Sequence, residues 1–85
     1  MRERIGKYLS VERCEPKPGC KTYAWTVYGE DEMDLGRVSW YGPFRKYSFW
    51  PNPRTVFETV CLSDIVHFLE SVKALRVPET KEVPV

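Results

Sequence analysis

Three runs of alternating residues, joined by links too short for a crossover, constrain this chain more than any other feature. They are TYAWTVY (22–28), LGRVSWY (35–41) and RKYSFW (45–50), all rich in β-branched or aromatic residues. In each run the large apolar side chains fall at every second position: Tyr23, Trp25 and Val27, then Val38 and Trp40, then Tyr47 and Phe49. A period of two places them on one face of a strand. The links are GEDEMD (29–34) and the few residues from Gly42. Parallel strands need a connection of about a dozen residues or more, so these runs join as antiparallel hairpins. Pro43 has no N–H and restricts the residue before it, which ends the middle run.

An earlier run, IGKYLSVER (5–13), alternates less cleanly, with Ile5, Leu9 and Val11 in phase, and reads as one more strand. CEPKPGCK (14–21) follows as a loop of two prolines and a glycine. Residues 52–60 form a connection in which Thr55-Val56-Phe57 is briefly extended. The period then changes. In CLSDIVHFLESVKAL (61–75), Leu62, Ile65, Val66, Phe68, Leu69, Val72 and Leu75 share one half of a helical wheel. Asp64 near the start and Lys73 with Arg76 near the end suit the helix dipole.

The expected fold is α+β: a four-stranded antiparallel meander packed on one C-terminal amphipathic helix, in the order ββββα. Residues 1–77 make one domain, and 78–85 a flexible tail. If Tyr23, Trp25, Val27, Val38, Trp40, Tyr47 and Phe49 face the helix, the other face shows Thr22, Ala24, Thr26, Tyr28, Arg37, Ser39, Tyr41, Lys46, Ser48 and Trp50. A slip of one residue in register exchanges the two faces.

Eighty-five residues, 42% hydrophobic and 29% charged, describe one small globular domain. The net charge of +1 hides an uneven distribution. EDEMD (30–34) carries four acids, whereas residues 35–54 carry Arg37, Arg45, Lys46 and Arg54 and no acid. No apolar run approaches the roughly 20 residues of a membrane helix. The first residues, MRERIGKYLSVER, are charged and lack the apolar stretch of a signal peptide.

Little in the chain suggests catalysis. The single histidine, His67, lies on the polar side of the helix, about 120° around it from Cys61. Five residues lie between Cys14 and Cys20, a wider spacing than in the tight pairs of zinc sites. They could pair under oxidation, and Cys61 falls on the apolar arc. The four acids of the 30–34 turn do not follow the alternating calcium-loop pattern. No glycine-rich phosphate loop, HExxH or GxSxG occurs. The chain therefore reads as non-catalytic, with no cofactor, metal or membrane partner. What remains is a basic and aromatic constellation: Arg37, Tyr41, Arg45, Lys46, Trp50 and Arg54, with Tyr28 nearby. Such mixtures bind single strands, since any base offers a face for stacking and cations follow the phosphates. An uncovered aromatic face serves equally as a dimer or partner interface.

The segment from Leu35 to Leu69 resembles a group of small uncharacterised phage and prophage proteins. Their run, L-G-x-[IV]-x-W-[YF]-G-x-W-R-x-Y-x-F-x-P, is met here by Leu35, Gly36, Trp40, Tyr41, Gly42, Arg45, Tyr47, Phe49 and Pro51. Thr55 and Phe57, then Cys61, Leu62, Ile65 and Phe68, match the elements that follow. Phe44 stands where the pattern has tryptophan. The resemblance implies a compact β-then-α domain from a mobile element. It carries no activity. With no membrane run or signal-peptide pattern, the protein is expected in the cytoplasm, here that of a bacterial host. Two uses of the basic aromatic face follow as expectations. One is a nucleic-acid-binding accessory module, for DNA or RNA. The other is a protein-interaction module, an inhibitor or adaptor of a host or phage protein, possible also as a homodimer.

Overall fold

The alternating runs pair in sequence order. In the computed structural model, which describes residues 2–77, β1 (Arg2–Arg4), β2 (Ser10–Cys14), β3 (Ala24–Tyr28), β4 (Asp34–Tyr41) and β5 (Lys46–Pro51) form one sheet in the order β1-β2-β3-β4-β5. Every neighbouring pair is antiparallel. One helix, α1 (Thr59–Val72), follows. The fold is α+β as expected, but the sheet has five strands rather than four. The expected tail, 78–85, lies outside the described residues.

The additional strand comes from splitting the first run. The segment 5–13 is not one strand. Its first half is a turn closed by the Ile5 N–H donating to Leu9 O at 3.0 Å. The Arg4 guanidinium donates to the carbonyls of Gly6 and Lys7, at 3.1 and 2.6 Å, and braces the turn. Gly6 is required there, because a methyl on it would run into the Asp64 carboxylate of α1. The strand before the turn is Arg-Glu-Arg, all exposed. Three charged residues show no period of two, so the pattern could not reveal them.

The buried parity is the one carrying the large apolar side chains. Val11, Trp25, Val27, Val38 and Tyr47 are buried on the helix side, with Trp40 and Phe49 half-buried beside them. From α1 come Ile65, Phe68 and Val72. Burying each such side chain contributes roughly 1.5–3 kcal/mol. Trp25 is the hub: its ring centroid lies 5.4 Å from Tyr47 and 5.2 Å from Phe68, both edge-on. The helix seats a narrower stripe than a half-wheel. Leu62 and Val66 remain 48% and 53% exposed, and Leu75 is also exposed. A single cylinder on a twisted sheet touches it along a strip, so the flanks of the apolar arc stay in solvent. Asp64 does not sit in the first turn. Glu58 caps the helix by accepting from the Val60 N–H at 2.7 Å.

Two local devices hold this arrangement. The first is a bulge in β4. Val27 pairs with Gly36 but Tyr28 pairs with Asp34, so Leu35 is the extra residue. Gly36 has φ 149°, and Asp34 Oδ1 accepts from its N–H at 3.1 Å. Asn52 clamps the same point, donating from Nδ2 to Asp34 O and Oδ1, both at 3.0 Å. The second is the Tyr47 hydroxyl. It accepts from the Tyr23 N–H at 3.1 Å and donates to Leu75 O at 2.8 Å, tying β5 to the start of β3 and the end of the helix.

Two substitutions test these devices. A methyl on Gly36 would strike the Trp50 carbonyl oxygen and lie 2.9 Å from Pro51 Cα. Gly36→Ala should therefore lower the unfolding free energy by about 2 kcal/mol or more in urea titration. A loss below about 0.5 kcal/mol would mean the hairpin yields freely there. Tyr47→Phe keeps the ring and strands two backbone groups, which should cost about 1–3 kcal/mol. Unchanged stability would show that water replaces the hydroxyl.

Candidate functional site

The face away from α1 begins with the pairing register. Thr26, Arg37 and Trp50 lie side by side across β3, β4 and β5, as do Ala24, Ser39 and Ser48. Tyr41 pairs with Lys46 at the hairpin end. These residues share the parity opposite Val38 and Tyr47, so the structure leaves them without a helical cover.

Small residues in the middle let the large ones lie down. Ser39 and Ser48 separate Trp50 from Tyr41 and are too short to hold the indole upright. Trp50 leans along the strands, with Nε1 3.4 Å from Ser39 O and its ring centroid 5.4 Å from Tyr41. Tyr41 in turn meets Phe44 edge-on at 4.8 Å. Trp50 is 43% exposed and Phe44 65%. The result is a row of three aromatics, Trp50–Tyr41–Phe44, along the β4–β5 hairpin. Phe44 was not among the residues expected here. Its place within a turn obscured its role.

Charge divides this face in two. On the β1 side, Arg2 is neutralised by Glu32 at 2.6 Å and Glu12 at 3.8 Å. Its guanidinium also covers Tyr28, 3.9 Å from the ring centroid. Hydrogen bonding to Glu32 holds the Arg2 charge more firmly than in a free arginine. Tyr28 is thus occupied and not open for stacking. On the β4–β5 side, Arg37, Arg45 and Lys46 are exposed and have no ion pair among the described residues. Among the described residues, no carboxylate pairs with the cations beside the aromatic row.

The structure does not bring all six expected residues together. Arg37, Tyr41, Lys46 and Trp50 share the face, and Arg45 adjoins it in the turn. Arg54 lies beyond the far end of β5, two residues after Asn52, whose side chain is bonded to Asp34. Five residue pairs separate that end from Tyr41 and Lys46, roughly 17 Å. Arg54 thus stands near the acidic turn rather than with Arg45 and Lys46.

The other candidate groups stay apart. The three cysteines are unpaired. Cys14 Sγ lies 3.8 Å from Thr26 Oγ1, and Cys20 is exposed. Burial pushes the Cys61 thiol above its ordinary pKa, next to the Glu58 carboxylate at 3.8 Å. His67 is exposed. No group of three His, Cys, Asp or Glu converges among the described residues. No described helix is long and apolar enough to cross a membrane.

Fold and face together define a small sheet module, covered on one side by a single helix and presenting a basic aromatic surface on the other. The chain is 32% identical over 60 residues to an uncharacterized 9.3 kDa protein of Acholeplasma phage L2, spanning 69% of this chain and 77% of that protein. It belongs to the same family of small phage proteins. No protein-family model and no solved structure matches it.

Arg45 offers a test separate from binding. It has φ 53°, and its N–H donates to Tyr41 O at 2.9 Å. A side chain in this left-handed conformation costs about 1–2 kcal/mol that glycine avoids. Arg45→Gly should leave the melting temperature unchanged or raise it. A lower melting temperature would show that the arginine side chain itself holds the turn.

Proposed function

We propose that this protein is a non-catalytic nucleic-acid-binding accessory module whose uncovered β4–β5 face takes a single strand. One observation carries the reading: exposed, mutually supported aromatics lie beside cations that have no ion pair among the described residues. Trp50 and Phe44 offer surfaces for bases, with Tyr41 bracing both. Arg37, Lys46 and Arg45 follow the phosphates, and Arg54 is a peripheral contact. A base of any identity can stack on an aromatic, so the surface fits binding without sequence preference. The phage setting is compatible with this reading, because handling nucleic acid is one of the two roles expected of such proteins. The module acts in the cytoplasm of a bacterial host.

Fluorescence anisotropy with labelled oligothymidylate over a range of salt tests the reading. Affinity should fall steeply as salt rises, and Arg37→Ala and Lys46→Ala should each reduce the logarithmic slope by about 0.7. Trp50→Ala should weaken binding about 5- to 150-fold, the equivalent of about 1–3 kcal/mol for one stacked base. These variants should keep the wild-type melting temperature within a few degrees. Absence of any shift with single-stranded DNA or RNA at low salt removes the reading. The face would then serve a protein partner or a second copy of the chain.

A further inference from the structure

On the helix side of the hairpin, a further cation meets an indole. Arg76 lies over Trp40, its guanidinium carbon 4.3 Å from the ring centroid. One nitrogen, Nη1, donates to the carbonyls of Lys73 and Leu75 at 3.2 and 2.8 Å. The other two guanidinium nitrogens make no hydrogen bond among the described residues. Lys21 stands alongside, because the Val77 N–H donates to Lys21 O at 3.0 Å and joins the two segments. Lys21, Thr22, Trp40, Arg76 and Val77 line a cleft of about 480 Å³. Among the described residues it holds two positive charges, a hydroxyl and no acid. Neither cation has an ion pair among the described residues.

We propose that this cleft is a phosphate subsite holding the same strand after it leaves the open face. The inference rests on the nucleic-acid reading above and extends it to residues that reading does not use. Three observations join the two sites. Trp40 and Tyr41 are consecutive on β4, so one faces the cleft and the other the aromatic row. The tip between them carries exposed Phe44 and Arg45. Residues 15–23 and the hairpin tip 42–45 lie at the same end of the sheet, since Ala24 pairs with Ser39. A strand stacked on Trp50 and Phe44 thus runs off the sheet toward Lys21 and Arg76. The free edge of a guanidinium suits two phosphate oxygens, and the ammonium adds a point charge. The Tyr47–Leu75 and Val77–Lys21 bonds fix the cleft before binding, which lowers the ordering cost.

The test compares oligothymidylates of about 4 and about 16 nucleotides, the limits of site size for such modules. Lys21→Glu changes an exposed side chain with no hydrogen bond among the described residues. Lys7→Glu makes the same charge change at the opposite end of β2 and serves as the control. Lys21→Glu should weaken the long strand roughly tenfold more than the control does, and leave the short strand at the control's level. An equal loss for both lengths, or a loss matched by Lys7→Glu, overturns the subsite and leaves the open-face reading standing. If neither length binds wild-type protein, the open-face reading fails and the subsite falls with it.

Discussion

The Tyr47 side chain is the point through which the rest of the structure is connected. Its ring is buried between Trp25 and Trp40, at centroid distances of 5.4 and 5.3 Å. Its hydroxyl bonds the backbone of Tyr23 on one side and Leu75 on the other. A phenylalanine could fill the same space, but it would leave both of these backbone groups without that partner. With Tyr47 committed to the core, Phe49 follows it there, and Lys46, Ser48 and Trp50 must face outward. The ring thus helps to close the covered face, and the hydroxyl secures the chain just after the helix, while the opposite parity stays open. The uncovered surface is a consequence of the same contact that closes the core.

The strand parity was legible because it rests on bulky residues at every second position over three consecutive runs. Trp25, Val27, Val38 and Tyr47 could not all be turned outward without exposing the core. β1 was illegible for the opposite reason. Arg2, Glu3 and Arg4 have no apolar alternation, and their pairing depends on a turn made possible by a contact between Gly6 and Asp64, which are distant in sequence. The helix stripe was read too broadly. Periodicity ranks Leu62 and Val66 with Ile65 and Phe68, but only tertiary geometry decides how much of an arc a sheet can cover.

The candidate site was legible as composition and illegible as arrangement. The absence of acids between Leu35 and Arg54 points to the right segment. It does not distinguish Tyr28, which Arg2 covers, from Trp50, which nothing covers. It does not show that Arg54 lies at the acidic end. Nor does it show the role of Ser39 and Ser48, whose small size lets the indole lie along the sheet toward Tyr41. Side-chain size between two aromatics, rather than the aromatics themselves, creates the row.

The division of charge across the face adds a constraint of its own. Arg2 alone engages Glu12, Glu32 and the Tyr28 ring, so the β1–β3 half presents little net field. The cations of the β4–β5 half keep theirs, and within about 10 Å at moderate salt that field is felt by an approaching anion. On the proposed nucleic-acid reading, this division would direct a polyanion to the hairpin side and its tip, away from the acidic turn at 30–34. Arg45 sits at that tip in a conformation glycine would hold more comfortably. At φ 53° its side chain costs about 1–2 kcal/mol that glycine would avoid, and its charge, without an ion pair among the described residues, adds to that of Lys46 beside it.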